Sequence, residues 1–124
     1  MKDPLERARP LLLATFLERW NRHDVAGVVS LYTPDAVMRD PLLDPPLRGS
    51  DALRGYYEHQ WRATPDASLT LGGFAADERA IAWAWRYTGS TGGTAWATVG
   101  SSCFLLRDGL IAEDHAVWFP GDSG

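Results

Sequence analysis

The chain has 124 residues, which suits one domain with one hydrophobic core, so we treat residues 1–124 as a single unit. A net charge of −4 without a basic cluster argues against a protein that binds nucleic acid through its phosphates. The single cysteine, Cys103, excludes an internal disulfide, and three scattered histidines form no metal motif, so we expect neither a metal nor a cofactor.

The N-terminal sequence has basic residues before an apolar run, an arrangement that signal peptides share. The run from Leu11 to Leu17 is only seven residues long and continues into charged residues rather than a small-residue cleavage site. We therefore expect no signal peptide, no membrane-spanning segment and a cytoplasmic protein.

The first predicted helix begins at Asp3 and Pro4, which are typical of a helix start, and ends at residues 21–23. Its apolar face follows the helical period. The residues of that face are Leu5, Ala8, Leu12, Phe16 and Trp20, with Leu13 and Leu17 beside them.

Two shorter helices follow. Asp24 is predicted to cap the second, and Ser50 begins the third after a loop at Arg48-Gly49. Between them we predict a turn over 33–35 and a short strand over 36–39. The inward residues of the two helices are Val25, Val28, Val29 and Tyr32, then Leu53, Tyr57 and Trp61.

After residue 66 the apolar period changes from 3.6 to 2, which indicates strands. They are predicted over 68–74, 79–88, 94–107 and 110–119. Gly72-Gly73 predicts a bulge in the first strand, and Asp108-Gly109 a tight hairpin turn before the last. Segregated helices and strands predict an α+β fold, a cone-shaped curved antiparallel β-sheet packed on three N-terminal helices.

Three segments of the chain resemble the nuclear transport factor 2-like superfamily, in particular its SnoaL-like polyketide cyclases and its ketosteroid isomerases. They are NRHDVAGVVSLYTPDAVMRDP, LRGSDALRGYYEHQW and FLLRDGLIAEDHAVWF. The resemblance covers essentially the whole chain and implies a cone with an open, ligand-sized mouth. It also implies a homodimer, formed through an outer sheet face of small and mostly apolar residues. That face carries Ala82, Ala84, Ala97, Val99, Ser101 and Cys103.

Asp40 stands directly before Pro41, where the resemblance to ketosteroid isomerases places the general base. In the same comparison the two oxyanion donors fall on Phe16, which cannot donate a hydrogen bond, and on Ser102, a weaker donor than an acid. Loss of one such donor typically costs about 3–4 kcal/mol of transition-state stabilisation, so the resemblance does not extend to steroid isomerisation by that mechanism. An Asp-Pro pair is also common in surface turns, and that alternative stays open.

Asp114 is the second candidate, because it lies on an otherwise apolar strand face with Ala112 and Ala116. A buried carboxylate costs several kcal/mol unless it is paired or protonated, so its presence there favours a functional role. SnoaL-like cyclases use an acid with a neighbouring histidine, but Asp114 and His115 are adjacent and point to opposite faces. A register shifted by one residue would place His115 inside instead.

Aromatic residues dominate the predicted inner face, which indicates a cavity for an apolar ligand or a densely packed core. The candidate ligand-binding residues are Phe16, Trp83, Trp85, Trp96, Ser102, Phe104 and Trp118. We therefore predict a protein that binds a small apolar molecule, with no activity assigned. The alternative is an isomerase or cyclase that transfers protons next to a carbonyl through Asp40, Asp114 or both.

Overall fold

The computed structural model describes residues 4–119 of the chain, and the side-chain surroundings of residues 11–118. Helix α1 spans Pro4–Asn21. The predicted cap Asp3 lies outside the described residues, and the predicted inward positions of Leu5 and Ala8 fall where only the backbone is described. Further along, α1 buries its predicted apolar face, including Phe16. No helix in the described part of the chain is long and apolar enough to cross a membrane.

Helices α2 and α3 span Val25–Val29 and Ser50–Ala63. The side chain of Asp24 caps α2, because its Oδ1 accepts a hydrogen bond of 2.9 Å from the backbone N–H of Gly27. On α3, the residues four apart that were predicted to face inward are buried: Leu53, Tyr57 and Trp61. The local patterns thus predicted all three helices.

Six strands form one curved, mixed sheet in the order β2-β1-β6-β5-β4-β3. Their bounds are Tyr32–Arg39 (β1), Leu47–Arg48 (β2), Ser68–Ala76 (β3), Ala80–Thr91 (β4), Thr94–Arg107 (β5) and Leu110–Phe119 (β6). The α+β class is confirmed, but the sheet is not wholly antiparallel, because β1 pairs with β6 in parallel.

The chain around β1 is more regular than its local sequence predicts. The predicted turn at residues 33–35 lies inside β1, and Arg48, predicted to lie in a loop, belongs to β2. Both differences have one cause. The free edge of β6 accepts β1 as a neighbour, and β1 in turn pairs with β2, so backbone groups that would face solvent are hydrogen-bonded within the sheet.

Two bulges, in the β3–β4 and β5–β6 ladders, change the face of the sheet to which nearby side chains point. The predicted bulge in β3 is confirmed, since the ladder shifts register between Leu71 and Gly73. A second irregularity was not predicted: Leu105 pairs with Glu113, whereas Leu106 pairs with Ile111, so β6 has one extra residue, Ala112. Ile111 is fully buried as a result, although simple alternation would place it on the outer face beside Glu113.

The core lies between the helices and the concave face of the sheet. At its centre the rings of Phe16, Trp83 and Phe104 pack edge to face, with centroids 5.0–5.8 Å apart. Phe104 has no exposed surface. On the convex face, by contrast, Val99 and Val117 are each 54% exposed.

Replacing Phe104 with alanine should reduce the free energy of unfolding by about 3–5 kcal/mol, because the cavity left in a dense aromatic core cannot collapse fully. Urea denaturation followed by tryptophan fluorescence measures this change. The control is Leu11→Ala, at a residue of α1 that is 65% exposed, which should change stability by less than about 0.5 kcal/mol. Equal effects of the two substitutions would contradict the placement of Phe104 in the core.

Candidate functional site

A cavity of about 390 Å³ opens at the concave face of the sheet. Its walls come from α1, α3, the inner residues of β4–β6 and the segment that follows β1. The described residues that line it are Phe16, Trp20, Met38, Asp40, Leu42, Leu43, Tyr56, Tyr57, Gln60, Leu69, Trp83, Trp85, Tyr87, Trp96, Thr98, Ser102, Asp114, Ala116 and Trp118. This size and this largely aromatic lining are typical of small-molecule sites.

The structure brings both candidate carboxylates and most of the predicted ligand-binding residues to this one cavity. Phe104 is the exception. It lies in the core, in contact with Phe16 and Trp83, and is not among the lining residues. The alternation along β5 correctly predicted that Phe104 faces inward. The part of β5 around Phe104 packs in the core, however, and the cavity lies against the earlier part of the strand.

Asp114 is buried in the cavity wall, with 6% of its surface exposed, which rejects the shifted register that would place His115 inside. The hydroxyl of Tyr32 donates a hydrogen bond of 2.7 Å to Asp114 Oδ2. The hydroxyls of Tyr57 and Tyr32 are also 2.7 Å apart, so Tyr57 donates to Tyr32, whose proton is already directed at the carboxylate. The second oxygen, Asp114 Oδ1, has no hydrogen-bond partner among the described residues.

Burial raises the pKa of Asp114 to about 6, because desolvation disfavours the charged form. The hydrogen bond from Tyr32 opposes this by lowering the pKa, while the nearby charge of Asp40 raises it further. Burial also raises the pKa of both Tyr32 and Tyr57 well above the usual value, so both keep their protons as donors. The result is a carboxyl that can gain or lose a proton near neutral pH.

Asp40 is half-buried, forms the turn that the sequence offered as one alternative, and also lines the cavity. Its Oδ1 accepts a hydrogen bond of 2.9 Å from the backbone N–H of Leu42, which stabilises the turn after β1. The same oxygen accepts a bond of 3.2 Å from the indole N–H of Trp118 across the cavity wall. Oδ2 has no hydrogen-bond partner among the described residues.

Sequence reasoning missed the polar side chains that α3 and β4 contribute. Tyr56 and Gln60 lie one helical turn apart on the cavity side of α3. The Nε2 of Gln60 donates a hydrogen bond of 3.0 Å to the hydroxyl of Tyr87, whereas the Tyr56 hydroxyl has no such partner among the described residues. The sequence feature that could have identified Tyr56 and Gln60 was their position on α3 close to Tyr57, which was predicted to face inward.

Glycines opposite two tryptophans shape the sheet wall. Gly100 pairs with Trp85 across the strands, and a Cβ atom on Gly100 would lie 2.6 Å from the indole ring. Gly89 is likewise paired with Trp96 and crowded by it at 2.7 Å. The indole N–H of Trp85 also donates a hydrogen bond of 2.9 Å to Ser102 Oγ. Ser102 therefore holds a wall of the cavity in position.

Comparison with protein-family models places residues 13–114 in one family, the SnoaL-like domain. The chain belongs to the SnoaL-like family. With it comes membership of the nuclear transport factor 2-like superfamily. A comparison with curated proteins finds no match.

Solved structures share the fold at low sequence identity. SalBIII, an epoxide hydrolase/cyclase-like enzyme in pyran ring formation of the polyether salinomycin, is 21% identical, with a TM-score of 0.82 and 92% of each chain covered. A protein assigned as a SnoaL-like polyketide cyclase, from Jannaschia sp. CCS1, is 12% identical, with a TM-score of 0.83 over 95% of this chain and 90% of its own. A ketosteroid isomerase-like fold from Catenulispora acidiphila, in complex with trimethylamine, is 14% identical, with a TM-score of 0.80 over 87% and 85%.

Asp114→Asn should stabilise the SnoaL-like domain above pH 6 but not near pH 4. Folding raises the pKa of Asp114 from 3.8 to about 6. The free energy of unfolding therefore falls as the pH rises between these two values, by up to about 3 kcal/mol in total. Asparagine removes this penalty and still accepts the hydrogen bond from Tyr32. Urea denaturation across this pH range measures the difference.

Glu113→Gln on the opposite face is the control, because it removes an adjacent carboxylate outside the cavity and should show no gain with pH. Equal destabilisation by Asp114→Asn at low and high pH would contradict the account.

Proposed function

We propose that this protein binds a small, mostly apolar molecule in the aromatic cavity and transfers a proton on it next to a carbonyl group. One observation carries the proposal: two carboxylates, Asp40 and Asp114, line the same largely apolar cavity. Apolar pockets with a few convergent polar groups are the usual form of a small-molecule site, and carboxyl groups in such surroundings are suited to proton transfer.

Asp114 is the principal proton acceptor in this proposal. Its pKa of about 6 leaves it mostly ionised at neutral pH, yet more basic than an ordinary carboxylate. The hydrogen bond from Tyr32 holds Oδ2, so Oδ1 is left to meet the substrate. The unpartnered hydroxyl of Tyr56, whose pKa is raised by burial and then by the charges of Asp40 and Asp114, stays protonated and can donate to a carbonyl oxygen.

The arrangement differs from that of a ketosteroid isomerase at the two positions that the sequence identified. Phe16 packs in the aromatic core and has no proton to donate. The Ser102 hydroxyl accepts from the indole N–H of Trp85 and offers only a neutral O–H in place of an acid. These contacts support proton transfer by Asp114 on a substrate other than a steroid enone. Trimethylamine in the relative with the same fold is further support for the cavity as a small-molecule site.

The proposal predicts that the protein accelerates exchange of solvent deuterium into the α-position of small aryl ketones, followed by proton NMR. Asp114→Asn should slow this exchange by about 100-fold or more, the usual contribution of a positioned general base. Asp40→Asn should slow it less, because Asp40 acts on the reaction through its charge near Asp114.

Glu113→Gln again serves as the control, since it removes a carboxylate next to Asp114 in sequence but on the other face, and it should leave exchange unchanged. If ketones bind, as followed by tryptophan fluorescence, but exchange in wild type matches Asp114→Asn, the catalytic part of the proposal fails and a binding protein remains.

We also propose that the protein is a homodimer through the convex face of the sheet. Val99 on β5 and Val117 on β6 are each 54% exposed on this face, which also carries the exposed Ala82 and Ala84 of β4. An exposed face of small apolar residues favours association with a second copy.

A dimer at micromolar concentration, measured by sedimentation velocity, is the expected result. The double variant Val99→Glu with Val117→Glu should dissociate it, because both charges would be desolvated at the interface. Leu11→Glu, at a residue that is 65% exposed on α1, should leave the dimer intact. A wild-type monomer would contradict this proposal.

A cytoplasmic location is likewise proposed, because a single cysteine, which cannot form an internal disulfide, suits a reducing compartment. Fractionation of the native host tests it, and recovery of the protein in the secreted fraction would contradict it.

A further inference from the structure

We infer that the ligand of this cavity carries a positively charged nitrogen, as a protonated tertiary or a quaternary amine, bound beside Asp40 and in reach of Asp114. The inference rests on the proposed function in that it concerns the same cavity. It adds a chemical class of ligand that proton transfer alone does not require.

The first support is the uncompensated negative charge. Among the described residues that line the cavity there are two carboxylates but no lysine, arginine or histidine. The basic residues that follow Met38 and Asp114 along the chain, Arg39 and His115, instead approach Glu113 outside the cavity, at 3.9 and 3.1 Å. A cationic ligand would supply the missing counter-charge in a space where water screens poorly.

The second support is the free oxygen on each carboxylate. Asp114 is more than nine-tenths buried, yet its Oδ1 has no hydrogen-bond partner among the described residues. Asp40 uses Oδ1 for both of its contacts, to the backbone of Leu42 and to Trp118, which leaves Oδ2 for a ligand. Neither oxygen is engaged by another described residue, so each is available to a donor or a cation in the cavity.

The third support is the aromatic lining. Five tryptophans and three tyrosines share the cavity with the carboxylates: Trp20, Trp83, Trp85, Trp96, Trp118, Tyr56, Tyr57 and Tyr87. The faces of such rings attract organic cations, most strongly where water is excluded. The hydrogen bond from Trp118 to Asp40 sets one of these rings directly beside a carboxylate, a pairing that suits an alkylammonium group.

The volume sets the size of the ligand. About 390 Å³ is at the small end of ligand pockets, enough for a single ring with a substituted ammonium group. Phenyltrimethylammonium is therefore a fitting probe. Its uncharged isostere, tert-butylbenzene, has the same shape and apolar surface, so the pair isolates the contribution of the charge.

The experiment compares the affinities of these two probes by tryptophan fluorescence and calorimetry. Wild type should bind phenyltrimethylammonium at least about 30-fold more tightly than tert-butylbenzene, in keeping with one carboxylate and several cation–π contacts. Asp40→Asn should reduce this preference by about tenfold or more. Its affinity for tert-butylbenzene should stay the same, which shows that the cavity is intact.

Glu113→Gln, whose carboxylate lies outside the cavity, should keep the full preference. Equal or tighter binding of tert-butylbenzene by wild type would overturn the inference, and so would failure of phenyltrimethylammonium to saturate the site by ~10 mM. A preference that survives Asp40→Asn would overturn the role of Asp40. These binding measurements are independent of the deuterium-exchange experiment. The proposal of a cationic ligand and the proposal of proton transfer can therefore fail separately.

Discussion

The parallel pairing of β1 with β6 is the constraint on which the site depends. It sets Met38 beside Asp114 and Arg39 beside His115 in register. The chain leaves β1 at Asp40, so the second carboxylate arrives at the same wall as the first. Without this pairing, β1 would be a separate strand, and Asp40 would stand on a surface turn. A single ladder of backbone hydrogen bonds therefore places two acids, distant in sequence, in one cavity.

That arrangement is costly for the fold and useful for chemistry. Asp114 is buried with no basic side chain among the described residues that line the cavity, and Asp40 adds a like charge nearby. Because its pKa is raised to about 6, the stability of the folded state falls as the pH rises from 3.8 to about 6 and stays lower above that. The chain offsets part of this cost with two buried tyrosine hydroxyls in series, Tyr57 and Tyr32. Because the ionised carboxyl of Asp114 lowers stability, a role in ligand chemistry explains its presence better than a structural role does. The same reasoning links the proposed proton transfer to the proposed cationic ligand, since both use the unsatisfied charge of the cavity.

The sheet wall shows how packing serves the cavity. Trp85 and Trp96 each lie across a glycine on the neighbouring strand, which lets large rings approach the backbone closely. Ser102, considered from the resemblance as a weakened oxyanion donor, instead accepts a hydrogen bond from Trp85. Phe16, at the other position, belongs to the edge-to-face core with Phe104. The two altered positions thus both line the cavity and support its shape, and its carboxylates come from other positions.

Local sequence determined most of the elements and their faces. The helical period of α3, the alternation along β4 and β5 and the Asp108-Gly109 turn each depend on neighbouring residues, and the structure has all of them. The resemblance to the SnoaL-like group predicted the cone with an open mouth and identified Asp40 as a candidate catalytic residue.

Tertiary structure alone decided the rest, because the deciding contacts join residues far apart in the chain. Tyr32 and Asp114 are separated by 82 positions, and Asp40 and Trp118 by 78. No local pattern records such pairs. The extra residue in β6 that turns Ile111 inward is also set by pairing with β5 rather than by the alternation of β6 itself. The alternation along β6 predicts that Asp114 faces inward. Only the pairing of strands that are distant in sequence determines which side chains Asp114 contacts.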